Sequence, residues 1–260
     1  MTDDEVLGRA AEVNERFRQI ELTAETVVRP AGPQTATVHS FLGHLRAKGL
    51  DCVPEPVSLD GDTETLRFIE GDSGGDAWRH QHDEEGLRSA ARLLRRIHDA
   101  SADWVPPDDA VFAAPAVDGG DVFVNGDPGP WNFVWRDHEA VALIDWDFLH
   151  PAPRMSDIAY ALQWFAPMRA DRAALEWHHF PQVPDRRART RAFLDAYGVP
   201  SDFDVAEAVV RRIRHTSEHV RFLAEQGQEP QVTWVGEGSV EAEEQAEIAW
   251  IEDNRALFAP

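Results

Sequence analysis

One stretch, residues 122 to 147, constrains the architecture of this chain more than any other, because two strand-and-turn signals follow each other closely there. Val122-Phe123-Val124 is a short apolar run closed by Asn125-Gly126-Asp127, which reads as a buried strand opening into a loop. Phe133-Val134-Trp135 and Ala140 to Ile144 flank the polar Arg136-Asp137-His138-Glu139, which predicts a hairpin. Asp145 stands where the second strand runs out, and the hairpin returns that end beside Asn132. Asp127, Asn132 and Asp145 thereby form a set of oxygen donors in one short span. Phosphoryl transfer asks for such a set: a carboxylate to receive a hydroxyl proton, and two oxygen ligands to hold magnesium against a nucleoside triphosphate. Each residue alone would read as a turn residue; the spacing of the three favours chemistry.

Asn125-Gly126-Asp127, Asn132, Ile144-Asp145-Trp146-Asp147 and Asp157-Ile158-Ala159-Tyr160 resemble the aminoglycoside phosphotransferase and choline kinase superfamily. Its usual pattern is His-Gly-Asp, four residues, Asn, an Ile-Asp-Trp-Asp strand, then an Asp before an apolar helix. The resemblance implies an α+β, protein-kinase-like two-lobe fold. A small antiparallel-sheet N-terminal lobe, residues 1–70, would bind nucleotide, and a larger, mainly helical lobe, residues 71–260, would carry catalysis and substrate. It implies Asp127 as catalytic base, Asn132 and Asp145 on Mg²⁺, and Asp157 as anchor of the loop. ATP or GTP would be the donor, and the acceptor a hydroxyl-bearing small molecule such as an aminoglycoside or another amino alcohol. Phe68-Ile69-Glu70-Gly71 resembles the hinge between lobes whose backbone meets the nucleotide base, though it reads equally as a strand and a turn glycine. Asp147, on the same edge as Asp145, is expected to meet a substrate amine or to support the metal site.

The chain departs from that pattern in several places. Asn125 stands where the family usually has a structural His. The single lysine, Lys48, ends a helix, so the phosphate-gripping lysine is missing and Arg29 is the strand residue left to replace it. A guanidinium holds phosphate oxygens bidentately, with a geometry unlike that of an ammonium. No acidic residue lies between Arg29 and Asp51, so the usual partner of the gripping cation is absent there, leaving His39 and His44 in the following helix. Gly8 is the sole glycine before Arg29, so no Gly-rich phosphate cradle is legible and Glu12 to Glu25 would cover the site by another backbone route. These gaps also fit a catalytically impaired pseudo-kinase that acts as a binding or regulatory module. A haloacid-dehalogenase-type phosphatase ranks third. Leu143 to Asp147 ends in Asp-x-Asp, but that family wants the pair near the N-terminus and a later lysine.

The net charge of −22 argues against nucleic acid or an anionic membrane as partner, since both would be repelled. It suits a cationic substrate and, equally, plain solubility, because the acids are spread along the chain. One cysteine, Cys52, excludes an internal disulfide and reads as a small buried hydrophobe. With no apolar run near the ~20 residues that span a bilayer, a soluble cytoplasmic protein is expected.

The remaining pattern predicts a strand over 24–29 and an amphipathic stretch over 5–20. Thr35 to Lys48 presents Val38, Phe41, Leu42 and Leu45 on one helical face before Gly49. Val57–Leu59 and Glu64–Ile69 bracket Asp60-Gly61-Asp62 as a hairpin. Asp72 to Asp76 reads as a flexible crossing between lobes. Helices are predicted over 84–99, with His98 as a hydrogen-bonded structural residue, and over about 156–168, 186–197, 204–226 and 239–257. Arg211-Arg212-Ile213-Arg214 reads as a solvated face. Of nine tryptophans, Trp131, Trp135 and Trp146 are expected at the site, and Trp164, Trp177, Trp234 and Trp250 in the core or cleft wall.

Overall fold

The computed structural model describes residues 20–200 and 203–259, so the amphipathic stretch expected from residue 5, and Gly8, lie outside the described residues. Strands β1 (Glu21–Leu22), β2 (Thr26–Pro30), β3 (Pro56–Asp60) and β4 (Thr63–Arg67) form an antiparallel sheet in the order β1-β2-β4-β3. The β3–β4 hairpin turns at Gly61, at φ +58°. Pairing of β2 with β4, the two inner strands, sets Arg29 directly opposite Glu64, which decides the chemistry of this part of the sheet. Helix α1 (Thr35–Ala47) buries the predicted Val38, Phe41, Leu42 and Leu45. Lys48 beyond it is tied to Asp103 and to the Ala100 carbonyl and, among the described residues, makes no hydrogen bond or ion pair with the acidic partners of Arg29.

The crossing that follows is pinned, which corrects the expectation of a flexible segment. The Asp72 amide donates to the Trp135 carbonyl and the Asp72 carbonyl accepts from the Trp135 amide, each at 2.9 Å. Gly71 permits this approach: at φ +145° a Cβ would lie 2.6 Å from the Trp135 carbonyl oxygen. The chain continues as a 3₁₀ turn, Gly74–His82, into α2 (Glu84–Ser101). The inner face of α2, with Leu87, Ala90, Ala91, Leu94 and Ile97, is fully shut from water, and burying each large aliphatic side chain contributes about 1.5–3 kcal/mol.

Strand β5 (Val122–Val124) pairs with β8 (His150–Ala152), and β6 (Phe133–Arg136) with β7 (Glu139–Leu143). Strand β8 is illegible in sequence because it is three residues long, contains Pro151 and takes its hydrogen bonds from a strand about 28 residues earlier. Helices α3 (Arg154–Phe165), α4 (Asp171–Glu176), α5 (Arg186–Tyr197), α6 (Val205–Glu225), α7 (Gln231–Gly236) and α8 (Ser239–Asp253) complete the larger part. Side chains of Asp185 and Asp204 cap α5 and α6, each accepting from an amide at 3.0 Å, which is why these helices begin where the sequence predicts.

Two of the three tryptophans expected at the site are core residues instead. Trp135 stacks on His80 and donates to the Pro130 carbonyl; Trp146 packs on Phe41 and donates to the Leu143 carbonyl. Trp135 packs on Phe133 and Phe165, and Trp146, beyond the end of β7, is buried against Phe41, so neither ring lines the cleft. Among the described residues no helix is long and apolar enough to cross a membrane.

Candidate active site

The loop after β5 is held from four directions. The Asp157 carboxylate, in the first turn of α3, accepts from the Asn125 amide at 2.9 Å and the Gly126 amide at 3.0 Å. His98, at the end of α2, meets Asp157 at 3.2 Å and the Tyr197 hydroxyl of α5 at 2.7 Å. Burial pushes the Asp157 carboxyl up, but His98 and the loop amides outweigh it and leave it below the usual carboxylate range. The Asn125 side chain donates to the Asp145 carbonyl at 2.9 Å and accepts from the Asp127 amide at 3.1 Å. An amide has both a donor and an acceptor to offer, so it ties the loop to the hairpin end in the position where the related family carries His. Gly126, at φ +87°, passes so close to Phe148 that a Cβ would sit 2.6 Å from its carbonyl oxygen.

The fourth hold is Arg212 of α6, which donates to the Gly126 carbonyl and lies 4.7 Å over the Tyr160 ring. Reading Arg211 to Arg214 as a solvated face is therefore corrected at this one residue. Arg211 and Arg214 are exposed, whereas Arg212 is buried. The signal was present in the helical period: Arg212 falls on the inward stripe with Val209 and Ile213.

Asp127 emerges from this frame half-buried. Its Oδ2 accepts from the Asn132 side-chain amide at 2.9 Å and from the Trp131 indole at 3.4 Å, while its Oδ1 is shut from water. Burial, and then the Asp145 charge, push its carboxyl up to about 6 against the pull of Tyr160 and Trp131. Asn132 also donates to the Asp127 carbonyl; with its nitrogen so committed, its oxygen is the atom it can offer a cation. Asp145 follows β7 at φ +54°, a left-handed backbone that an aspartate adopts at a cost.

Arg29 reaches this cluster from the sheet. Its Nε donates to Glu64 at 2.6 Å, and its terminal nitrogens donate to Asp147 at 2.6 Å and Asp145 at 3.3 Å. Glu64 also takes His39 at 2.9 Å. The acidic partner that sequence reading found missing is thus supplied by β4 rather than by α1. Burial pushes the Glu64 carboxyl up, but His39 and Arg29 together outweigh it and hold it below its ordinary value. Asp147, expected to meet a substrate amine or to support the metal site, is engaged by the Arg29 guanidinium.

Asp127, Asn132, Asp145 and Asp147 line one cleft of about 790 Å³, together with Trp131, Tyr160 and Arg212. Phe68, Ile69 and Glu70 follow β4 and are not among its lining residues; the Phe68 amide donates to the Glu25 carbonyl, and the Glu70 carbonyl accepts from Arg136. Among the described residues no group of three or more His, Cys, Asp or Glu could hold a metal unaided. An amide oxygen and one carboxylate suit Mg²⁺, which takes few protein ligands and completes its shell with phosphate oxygens and water.

A model of the phosphotransferase enzyme family matches residues 12–111 and 109–197. The chain belongs to that family. It is 34% identical over 181 residues to the trifolitoxin immunity protein of Rhizobium leguminosarum bv. trifolii, a match covering 66% of this chain and 67% of that one. Among solved structures it is similar to amicoumacin kinase hAmiN in complex with AMP-PNP and Ca²⁺, with a TM-score of 0.58, 12% identity, and coverage of 98% of this chain and 93% of that one. It is equally similar to spectinomycin phosphotransferase APH(9)-Ia in complex with ADP, with a TM-score of 0.58, 11% identity, and coverage of 92% and 88%. These likenesses show a kinase-like α+β two-lobe fold. This member is a small-molecule phosphotransferase.

Proposed function

We propose that this phosphotransferase moves the terminal phosphoryl group of ATP or GTP to a hydroxyl of a small molecule, an aminoglycoside or other amino alcohol among the candidates. The observation that carries the reading is Asp127, a desolvated carboxylate in a shared cleft with Asn132 and Asp145. A carboxyl near 6 is ionised at neutral pH yet basic enough to take a hydroxyl proton. Asp127 accepts that hydrogen and aims the oxygen at the terminal phosphorus. The new O–P bond forms as the bond to the bridging oxygen breaks, the proton passes to Asp127, and the nucleoside diphosphate departs with the bonding electrons.

Asn132 and Asp145 would hold Mg²⁺, whose charge neutralises triphosphate oxygens when bound. Arg29, kept in place by Glu64, exchanges its contacts with Asp145 and Asp147 for phosphate oxygens. We place the nucleotide lobe at residues 1–70, with Phe68, Ile69 and Glu70 beside the base, and the catalytic and substrate lobe at residues 71–260. The kinase relatives bound to AMP-PNP and ADP support a nucleotide donor. The immunity protein and the antibiotic kinases support inactivation of a toxin or antibiotic, and we place the protein in the cytoplasm.

One observation favours a second reading. Arg29 already spans Asp145 and Asp147, as it would in a pseudo-kinase whose cation site is closed by its own guanidinium. A thermal-shift titration with Mg–ATP and Mg–GTP separates the two, since a closed site gives no shift. A screen for nucleoside-diphosphate release across hydroxyl-bearing amines and sugars, with Asp127→Asn as blank, tests the transfer itself.

A further inference from the structure

Arg29 meets three carboxylates, and they divide its guanidinium between them. Glu64 takes Nε at 2.6 Å, while the terminal nitrogens lie on Asp147 at 2.6 and 3.2 Å and on Asp145 at 3.3 Å. Glu64 stands opposite Arg29 in the register of β2 and β4, and its side chain is 1% exposed. Arginine and a carboxylate frequently join as a fork of two parallel N–H···O bonds. Here the pair is joined through one oxygen.

The second oxygen of Glu64 accounts for this. It lies 2.9 Å from Nε2 of His39, which reaches it from α1. An ionised carboxylate only accepts, so Nε2 carries the hydrogen and donates it. Burial pushes the Glu64 carboxyl up, and the His39 hydrogen bond leads the contacts that outweigh it. One oxygen thus serves the helix and the other the sheet.

The consequence falls on the far end of Arg29. A guanidinium has five N–H donors. A fork to Glu64 would take two of them, on Nε and on the neighbouring terminal nitrogen. With His39 on the second oxygen, Glu64 takes the Nε hydrogen alone, and the terminal N–H groups stay directed at Asp145 and Asp147 beyond β7.

We propose that His39 is a positioning residue for the nucleotide grip: by holding the second oxygen of Glu64 it confines that carboxylate to Nε of Arg29 and leaves the terminal N–H groups for the donor's phosphates. The inference rests on the reading of Arg29 as the phosphate grip. Helix α1 carries no acid to meet the cation itself, so its link to Arg29 runs through His39 and then through a carboxylate of the sheet.

Calorimetric titration of the full chain with Mg–ATP and Mg–GTP tests it, the tighter nucleotide being carried through the variants. His39→Leu removes the donor and frees Glu64 to close a fork on Arg29. Affinity should fall at least about tenfold, the equivalent of one charge-assisted hydrogen bond to phosphate. His39→Gln sets an uncharged N–H at nearly the same reach and should restore affinity to within about threefold of wild type. If His39→Leu does not fold, His39→Met takes its place. Affinity is read on folded protein, so a lowered melting temperature with full affinity in His39→Leu overturns the proposal, as does an equal loss in His39→Gln. A loss in Arg29→Lys without one in His39→Leu overturns the proposal alone. Full affinity in Arg29→Lys, or no binding of either nucleotide by the wild type, overturns the grip reading and the role of His39 with it. The expected order of affinities without transfer to any acceptor would instead overturn the transfer reading and leave the role of His39 standing.

Discussion

Replacing Asp127 by Asn should abolish phosphoryl transfer and, at neutral pH, make the protein more stable. The structure holds this carboxyl at about 6 rather than 3.8, chiefly by burial. Two units correspond to about 3 kcal/mol, an upper figure because one side of Asp127 opens onto the cleft. The folded protein binds this proton more tightly than the unfolded chain. The stabilising contribution is therefore complete below about pH 4, falls as pH rises, and is gone above about pH 6.

Asparagine does not titrate, while every other group is common to both proteins, so the difference between variant and wild type isolates this one carboxyl. With the two values above, the gap in unfolding free energy should grow in favour of the variant by about 1.4 kcal/mol between pH 5 and pH 7.5. Urea denaturation of both proteins at those two pH values measures it. Thermal melts should show the same trend, at about 2–4 °C per kcal/mol for a chain of this size. A gap that does not change with pH would refute the claim that Asp127 is a desolvated carboxylate, and with it the account of its basicity. Stability surrendered at one side chain for chemistry is expected of a reacting group.

The same carboxyl should give kcat/KM an acidic limb, falling about tenfold per pH unit below about 6 in the free enzyme; a profile flat down to pH 5 would remove Asp127 as the base. Arg29→Ala should cost about 1–3 kcal/mol in denaturant melts, because it leaves the buried Glu64 carboxylate with His39 alone. Arg29→Lys should keep most of that stability while raising the nucleotide KM at least tenfold. Arg212→Met should lower kcat at least tenfold by freeing the Gly126 carbonyl, with nucleotide affinity unchanged within about twofold by calorimetry. Asn125→Ala, which unties the Asp127 loop from Asp145, should lower kcat and melting temperature together.

The local pattern alone determined the hairpin of β6 and β7, the strand before Asp127, the helix over Thr35 to Ala47 and the start of α5 and α6. Each of these rests on signals a few residues apart: an alternation, a turn dipeptide, a capping aspartate. His98 was also legible as a structural residue, since it ends a helix, whereas the anchoring role of Asp157 came from the family resemblance alone. Strand register, by contrast, belongs to the tertiary structure. Glu64 is 35 residues from Arg29 along the chain, and only the pairing of β2 with β4 makes it the partner of that guanidinium. Strand β8, the burial of Arg212 and the withdrawal of Trp135 and Trp146 from the cleft have the same origin: each depends on which surface another element covers. The sequence carried the chemistry of the oxygen donors, whereas packing of α6 decided where the Arg212 charge is buried, because desolvation is a property of the assembled fold.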